Sequence, residues 1–172
     1  MKRSPIYLSV ALLLGAVITM PAQASGPYDA PSVLFAQMMI PHHQQAVLIS
    51  RLELKQGTNP AVKKLATRII AEQSPEIAQM KRWIPSNAMA GMVMSMPGLV
   101  NPSGLAKLRA AQGKNFDALY LADMTSHHKA AITMATPLIK SMNAEVATLA
   151  KNIVAGQSAE IKEMHRIMVT GK

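Results

Sequence analysis

The chain has 172 residues, no cysteine and a formal net charge of +9, with 18 Lys and Arg against 9 Asp and Glu. Without cysteine, disulfides and thiolate chemistry are excluded, so packing or a metal must hold the fold together. The basic residues are scattered rather than gathered in one run with aromatic residues, which favours a solvated surface over nucleic-acid binding.

The first 24 residues have the pattern of a secretory signal peptide. Lys2 and Arg3 precede an apolar run from 6 to 20, and Ala22-Gln23-Ala24 is a small-residue cleavage site. We expect cleavage after Ala24 and export to the periplasm or beyond. The alternative is an uncleaved anchor, although the run is shorter than the roughly 20 residues that span a bilayer. Residues 25–172 suit a single domain, and we expect no membrane association once the signal is removed.

The chain after the signal peptide predicts a helical hairpin. Its first helix is predicted to begin at Ser32, the expected N-cap, and to end near Lys55. The segment Gly57-Thr58-Asn59-Pro60 is typical of a helix end followed at once by a capped helix start. The second helix is therefore predicted from Pro60 to about Trp83.

A segment broken by Gly and Pro follows from Pro85 to Ser103 and is predicted to be a long crossover. It carries Met92, Met94 and Met96, in a chain with 14 Met and only 3% aromatic residues. Such a loop offers little core for methionine to fill. The three thioethers are therefore candidate ligands for a cuprous ion.

A second hairpin is predicted after the crossover. Its first helix should run from Ser103 or Gly104 to about Lys140, with a break at Gly113. Asn143 should cap the last helix of the chain.

The two hairpins are copies of one design. The stretch from Phe35 to Ile49 returns 85 residues later as Tyr120 to Met134, and the second helices match at an offset of 84. The repeat halves span about 32–84 and 104–169. Since neither half can bury its apolar stripe alone, we predict an all-α, antiparallel four-helix bundle with pseudo-twofold symmetry and a Met-rich crossover.

Four of the five histidines lie in the two copies of one motif. Residues three and four apart share a helix face, so each histidine pair should lie beside the preceding methionine. The candidate ligands in these helices are Met39 with His42 and His43, and Met124 with His127 and His128. The second helix of each hairpin should add inward-facing polar and sulfur groups: Gln73, Glu76 and Met80, then Gln157, Glu160 and Met164, with His165 as a fifth imidazole on one side.

Imidazole combined with thioether favours Cu(I) and Ag(I), and imidazole also suits Cu(II). We expect the glutamates and glutamines to orient the histidines by hydrogen bonds. A plainer interpretation is available for each residue, because histidine also occurs as a polar core residue and methionine as core filler. The identical spacing in both copies favours ligands.

Two other functions are compatible with a helical bundle of this composition. A di-iron enzyme needs a Glu-x-x-His pair in each half, but Met39 and Met124 stand where those glutamates belong. A metal-independent interaction module is the second alternative. No G-x-S-x-G or H-E-x-x-H motif indicates a hydrolase, and we expect no catalytic turnover.

The motifs are similar to those of a known family. They are Met39-Ile-Pro-His42-His43-Gln44-x-Ala46, then Met124-x-x-His127-His128-x-x-Ala131-Ile132, and Leu65-Ala66 through Gln73, Glu76-Ile77, Met80 and Trp83. With these the chain resembles the domain of unknown function 305 family, a ferritin-like four-helix group.

The resemblance implies binding of copper or silver ions by Met and His, and a role in metal tolerance outside the cytoplasm. It also implies metal ions, and other periplasmic copper-handling proteins, as partners. Ser126 and Lys129 stand where the first copy has Pro41 and Gln44. These differences argue against strict equivalence of the two halves.

Overall fold

The computed structural model describes residues 27–86 and 96–172. Over these residues the chain is helical and has no strand, which confirms the predicted all-α class. The helices are α1 (Ala30–Gln56), α2 (Pro60–Lys81), α3 (Pro102–Ala110), α4 (Gly113–Ala135), a 3₁₀ helix (Thr136–Lys140) and α5 (Ala144–Thr170). None of the described helices is long and apolar enough to cross a membrane. The predicted signal peptide, Met92 and Met94 lie outside the described residues.

Asparagines cap α2 and α5, as the sequence predicts, and Asn101 also caps α3. The Asn59 side chain accepts hydrogen bonds from the backbone amides of Ala61 and Val62 at 2.8 and 3.4 Å. Asn143 caps α5 in the same way. These side chains satisfy amides that the first turn of a helix leaves free.

The predicted cap of α1 at Ser32 is wrong. Asp29 is the N-cap, and its carboxylate accepts a hydrogen bond from the Ser32 amide at 3.0 Å. Pro31 fits the first turn because it has no amide hydrogen to satisfy. Ser32 therefore lies inside the helix, where its side chain is buried.

The predicted third helix is interrupted as expected. α3 ends at Ala110, and α4 begins at Gly113 with a φ of 61°, in the left-handed region that glycine adopts at little cost. After Ala135 the chain tightens into the 3₁₀ helix that contains Pro137.

The four long helices pack as two hairpins, α1 with α2 and α4 with α5. The hairpins meet along α1 and α4 and along α2 and α5. Their buried apolar side chains form two clusters. The Phe116 cluster includes Ile49, Leu65, Phe116, Tyr120, Met124 and Met164. The Trp83 cluster includes Phe35, Met39, Met80, Trp83, Leu149 and Ile153.

Candidate metal site

Polar side chains separate the two apolar clusters along each of the four long helices. In α1, for example, the Trp83 cluster supplies residues up to Ile40 and the Phe116 cluster begins at Ala46, with His42 and His43 between them. We call this set the histidine layer. Its members are His42, His43, Gln73, Glu76, His127, His128, Gln157 and Glu160. All four of its histidines are 0% exposed.

The two copies of the histidine motif meet where α1 packs on α4. The rings of His42 and His127 have centroids 3.6 Å apart and planes tilted by 35°. The His127 Nε2–H donates to the backbone carbonyl of His42 at 2.9 Å. Two histidines that are 85 positions apart in the sequence are therefore neighbours in the structure.

Each of the other two histidines is paired with a glutamate of its own hairpin. His43 Nε2 lies 2.9 Å from Glu76 Oε2, and His128 Nε2 lies 2.8 Å from Glu160 Oε2. A carboxylate oxygen accepts, so the hydrogen of each imidazole is on Nε2 and the lone pair is on Nδ1. The two glutamates thus fix the orientation of the rings.

Several polar atoms of the layer are buried without a hydrogen-bond partner among the described residues. They are Nδ1 of His43, His127 and His128, both ring nitrogens of His42, the side-chain amide atoms of Gln73 and Gln157, and Oε1 of Glu160. An orphaned buried polar group costs roughly 1–3 kcal/mol. The layer is therefore suited to a further polar occupant, such as an ion or water.

The two glutamines do not perform the predicted orienting role in this structure. Gln73 and Gln157 are 2% and 3% exposed, but within the described part of the chain neither bonds a histidine. Their amide oxygens remain free to accept.

Burial keeps the stacked histidines neutral. It lowers the pKa of His42 to about 3, helped by the neighbouring imidazoles of His43 and His128. Burial, then the proximity of His42, also lowers the pKa of His127. The Pro97 carbonyl acts in the opposite direction on the pKa of His42, although it lies outside good hydrogen-bonding geometry. Neutral imidazole is the form that binds metals.

Four buried methionines lie in the clusters on either side of the layer. Met39 and Met80 of the first hairpin belong to the Trp83 cluster, and Met124 and Met164 of the second belong to the Phe116 cluster. All four are 0% exposed. The Met164 sulfur accepts a hydrogen bond from Thr125 Oγ1 at 3.4 Å. Soft donors are thus available to both halves.

The layer contains no preformed site of hard ligands. Over residues 27–86 and 96–172, no three His, Asp or Glu side chains converge on one point. The di-iron pattern needs such a convergence of carboxylates and histidines. Imidazole nitrogens and buried thioether sulfurs are both present near the layer, and a mixture of these two donors suits soft ions.

The expectation that His165 adds a fifth imidazole to the interior is wrong. Met164 is buried, whereas His165 is exposed. Consecutive residues of a helix point about 100° apart, so His165 does not have to share the buried face of Met164. Met96, the one described residue of the predicted crossover trio, is partly buried.

Arg68 was not singled out from the sequence, yet it contacts the layer. Its Nε lies 3.8 Å from Glu160 Oε1 and 3.8 Å from Glu72 Oε1, and its guanidinium also pairs with Glu163. Asn152 occupies the equivalent repeat position, so the two glutamates of the layer differ. The difference between Arg68 and Asn152 was the sequence signal that could have identified Arg68.

A family model described as domain of unknown function (DUF305) matches residues 32–168. No curated protein matches the chain. A DUF305 structure from Streptomyces coelicolor, assigned as a secreted protein, is 28% identical with a TM-score of 0.74, covering 81% of this chain and 92% of that one. A DUF305 fragment from Deinococcus radiodurans is 28% identical to this chain. Its TM-score is 0.72, and the match covers 82% of this chain and 97% of the fragment.

The structure of CopM in its Cu(I)-bound form is 33% identical, with a TM-score of 0.64 over 78% of this chain and 93% of CopM. CopM is also solved in Cu(II)-bound and Ag-bound forms. The match to the family model spans nearly all the described residues and includes the whole histidine layer. The chain belongs to the DUF305 family.

Proposed function

We propose that this protein binds Cu(I), and also Ag(I) or Cu(II), in the histidine layer and acts in copper sequestration, delivery or resistance in the periplasm. In this proposal the two hairpins form an antiparallel, ferritin-like four-helix bundle whose interior holds the ion. The protein acts as a carrier without catalytic turnover. The observation that carries the proposal is a fully buried set of imidazoles with unpartnered nitrogens, flanked by four buried methionines.

The donor set supports a soft ion. His43, His127 and His128 each have Nδ1 free while Nε2 is engaged by a hydrogen bond. Met39, Met80, Met124 and Met164 supply thioethers from both sides. Neutral nitrogen and sulfur donors suit Cu(I) better than hard ions, which prefer several oxygen ligands.

The similarity to CopM supports the same ion class. CopM has been solved with Cu(I), Cu(II) and silver bound, and it shares 32–33% of its residues with this chain in those structures. The residues that hold these ions in the present chain are our proposal. They are His42, His43, His127 and His128 with the four core methionines. Met92, Met94 and Met96 remain a predicted second site.

Anaerobic titration with Cu(I), followed by native mass spectrometry, tests the proposal. Residues 25–172 should take up Cu(I), and the double variant His42→Ala with His127→Ala should bind fewer copper ions, keeping at most those held by the crossover methionines. His165→Ala is the matched control, because it removes the exposed imidazole and should leave copper uptake unchanged. Circular dichroism checks that each variant is helical.

Three results would contradict the proposal. One is equal copper stoichiometry and affinity in the double variant and the parent. Another is loss of copper from His165→Ala. The third is preferential uptake of Fe(II) with oxygen consumption, which would indicate the di-iron alternative.

A further inference from the structure

A tight turn of the crossover lies beside the stacked histidines. In the turn Met96–Leu99 the Leu99 amide donates to the Met96 carbonyl at 3.4 Å. Pro97 occupies the second position, and Gly98 occupies the third with a φ of 80°. Proline followed by a glycine at positive φ is typical of a type II turn. The turn is therefore specified by its own sequence.

This turn sits directly on α4 at His127. A Cβ on Gly98 would collide with Ala130 Cβ and stand 3.2 Å from the Ser126 carbonyl oxygen and 3.3 Å from His127 Cα. Only glycine fits such a close approach of two backbones. The peptide of Gly98 thus packs against the helix at the level of the histidine layer.

The residue that follows the turn is held by α1. The Val100 amide donates to Gln45 Oε1 at 2.7 Å, and Gln45 Nε2 donates to the Val100 carbonyl at 2.9 Å. The Pro97 carbonyl approaches the ring of His42. Residues 96–100 therefore bridge α1 and α4 across the contact between His42 and His127. We call this segment the bridging turn.

Both contacts of the bridging turn fall at one position of the repeat. Gln45 and Ala130 are 85 residues apart, so the two copies differ where the turn is bound. In α1 this position is Gln45, whose side chain forms hydrogen bonds with the backbone of Val100. In α4 it is Ala130, whose side chain is small enough for Gly98 to pack against it. The two copies of the repeat therefore carry different residues at the position that contacts the turn.

The opposite side of the layer is closed in another way. There Arg68 of α2 pairs with Glu160 and Glu163 of α5, joining the two helices by charged side chains. These helices also carry the buried Gln73 and Gln157. The α1–α4 side is covered by a short turn that is held to α1 through two side-chain hydrogen bonds.

We propose that a soft cation enters and leaves the histidine layer by displacing the bridging turn, and that Gln45 and Gly98 are positioning residues that set the exchange rate. The inference rests on the proposed function. It adds a route and two residues that do not bind the ion. Because neither side chain supplies a ligand, changing them should alter the kinetics more than the stoichiometry.

Copper release from the loaded protein tests the route. The Cu(I)-loaded chain is mixed in a stopped-flow instrument with excess chromophoric Cu(I) chelator. Gln45→Ala removes both hydrogen bonds and should speed release about tenfold or more, because these two bonds hold the turn against α1. Gln45→Glu keeps the acceptor for the Val100 amide but loses the donor, so its release rate should be intermediate.

Gln56→Ala is the matched control. Gln56 lies on the same helix and donates to the carbonyls of Arg109 and Ala111 at 3.0 and 2.8 Å, away from the layer. Its loss should leave the release rate unchanged. Gly98→Ala, which displaces the turn from α4, should accelerate release as Gln45→Ala does.

The outcomes separate this inference from the proposed function. A parent chain that takes up no Cu(I) overturns both. Normal uptake with equal release rates in the parent, Gln45→Ala and Gly98→Ala overturns the route alone. Equal acceleration in Gln56→Ala also overturns it, because a general loosening of the fold would then explain the effect.

Discussion

Three histidines of the layer use one ring nitrogen in a hydrogen bond and leave the other ring nitrogen without a partner over the described ranges of the chain. His43 and His128 give Nε2 to a carboxylate, and His127 gives it to a backbone carbonyl. Each therefore keeps Nδ1 as the free nitrogen. The two glutamates differ, because Arg68 lies near Glu160, whereas the side chain of Glu76 is 18% exposed.

Glu160→Gln tests the orienting role at this scale. The amide keeps the shape but loses the charge that holds the His128 ring, so Cu(I) affinity should fall by about tenfold or more. Competition with a Cu(I) chelator measures the change. Glu163→Gln is the control, since Glu163 also pairs with Arg68 but lies outside the layer. Equal affinities in both variants would show that the carboxylate does not position the ligand.

A second buried carboxyl lies at the turn between α1 and α2. Glu53 is 0% exposed and lies beside Asp117. The Asp117 carboxylate accepts hydrogen bonds from the Thr58 amide, the Thr58 hydroxyl and the Asn59 amide at 2.9–3.1 Å. Burial first, and then the neighbouring Asp117, raise the pKa of Glu53 to about 8. The folded chain therefore retains a proton that the unfolded chain releases near pH 4.5.

This proton makes stability depend on pH. The contribution of Glu53 is fully present below the unfolded pKa and is lost as pH rises towards the folded pKa of about 8. Above pH 6.5, where the lowered pKa values of His42 and His127 no longer make stability rise with pH, the free energy of unfolding should fall by up to about 1.4 kcal/mol for each pH unit. Urea denaturation at several pH values measures it. Glu53→Gln should remove the slope, and an unchanged slope in that variant would contradict the assignment.

At the scale of helices, signals between near neighbours in the sequence predict several of the helix boundaries but not all of them. Asn59 and Asn143 were predicted as caps, and Gly113 as the break between α3 and α4. The Ser32 prediction failed because Asp29, three residues earlier, starts the helix by accepting from the Ser32 amide, which places Ser32 inside α1. A pattern of residue types does not decide between two capping side chains within reach of one turn.

Gly156 offers a test at this scale. It lies in the middle of α5, and a Cβ there would come no closer than 3.8 Å to any neighbour, the nearest being Glu72. Gly156→Ala should therefore stabilise the fold by about 0.5–1 kcal/mol, because alanine loses less backbone entropy in a helix. Chemical denaturation measures the gain. A loss of stability would mean that α5 is packed more tightly here than the structure shows.

For the whole molecule, the repeat predicted more than the individual motifs did. It placed His42 and His127 at equivalent positions of two hairpins, and the structure stacks them. Contacts between the halves were beyond sequence reasoning where the repeat is broken, as at Arg68 and Gln45. The exposure of His165 shows the same limit, because the rotation of α5 is set by packing.

Binding of a soft ion inside the molecule should stabilise the whole fold. A ligand at 100 times its dissociation constant adds about 2.7 kcal/mol to the free energy of unfolding. Thermal denaturation with and without Ag(I) should show a rise in Tm for the parent and for His165→Ala. The double variant His42→Ala with His127→Ala should show no such rise. A comparable rise in the double variant would place the ion elsewhere.

The most direct measurement is anomalous diffraction at the copper edge from crystals of the Cu(I)-loaded chain. The account predicts an anomalous peak inside the histidine layer, within bonding distance of an imidazole Nδ1 and a methionine sulfur. Peaks confined to the protein surface, with the four buried imidazoles unchanged, would contradict it.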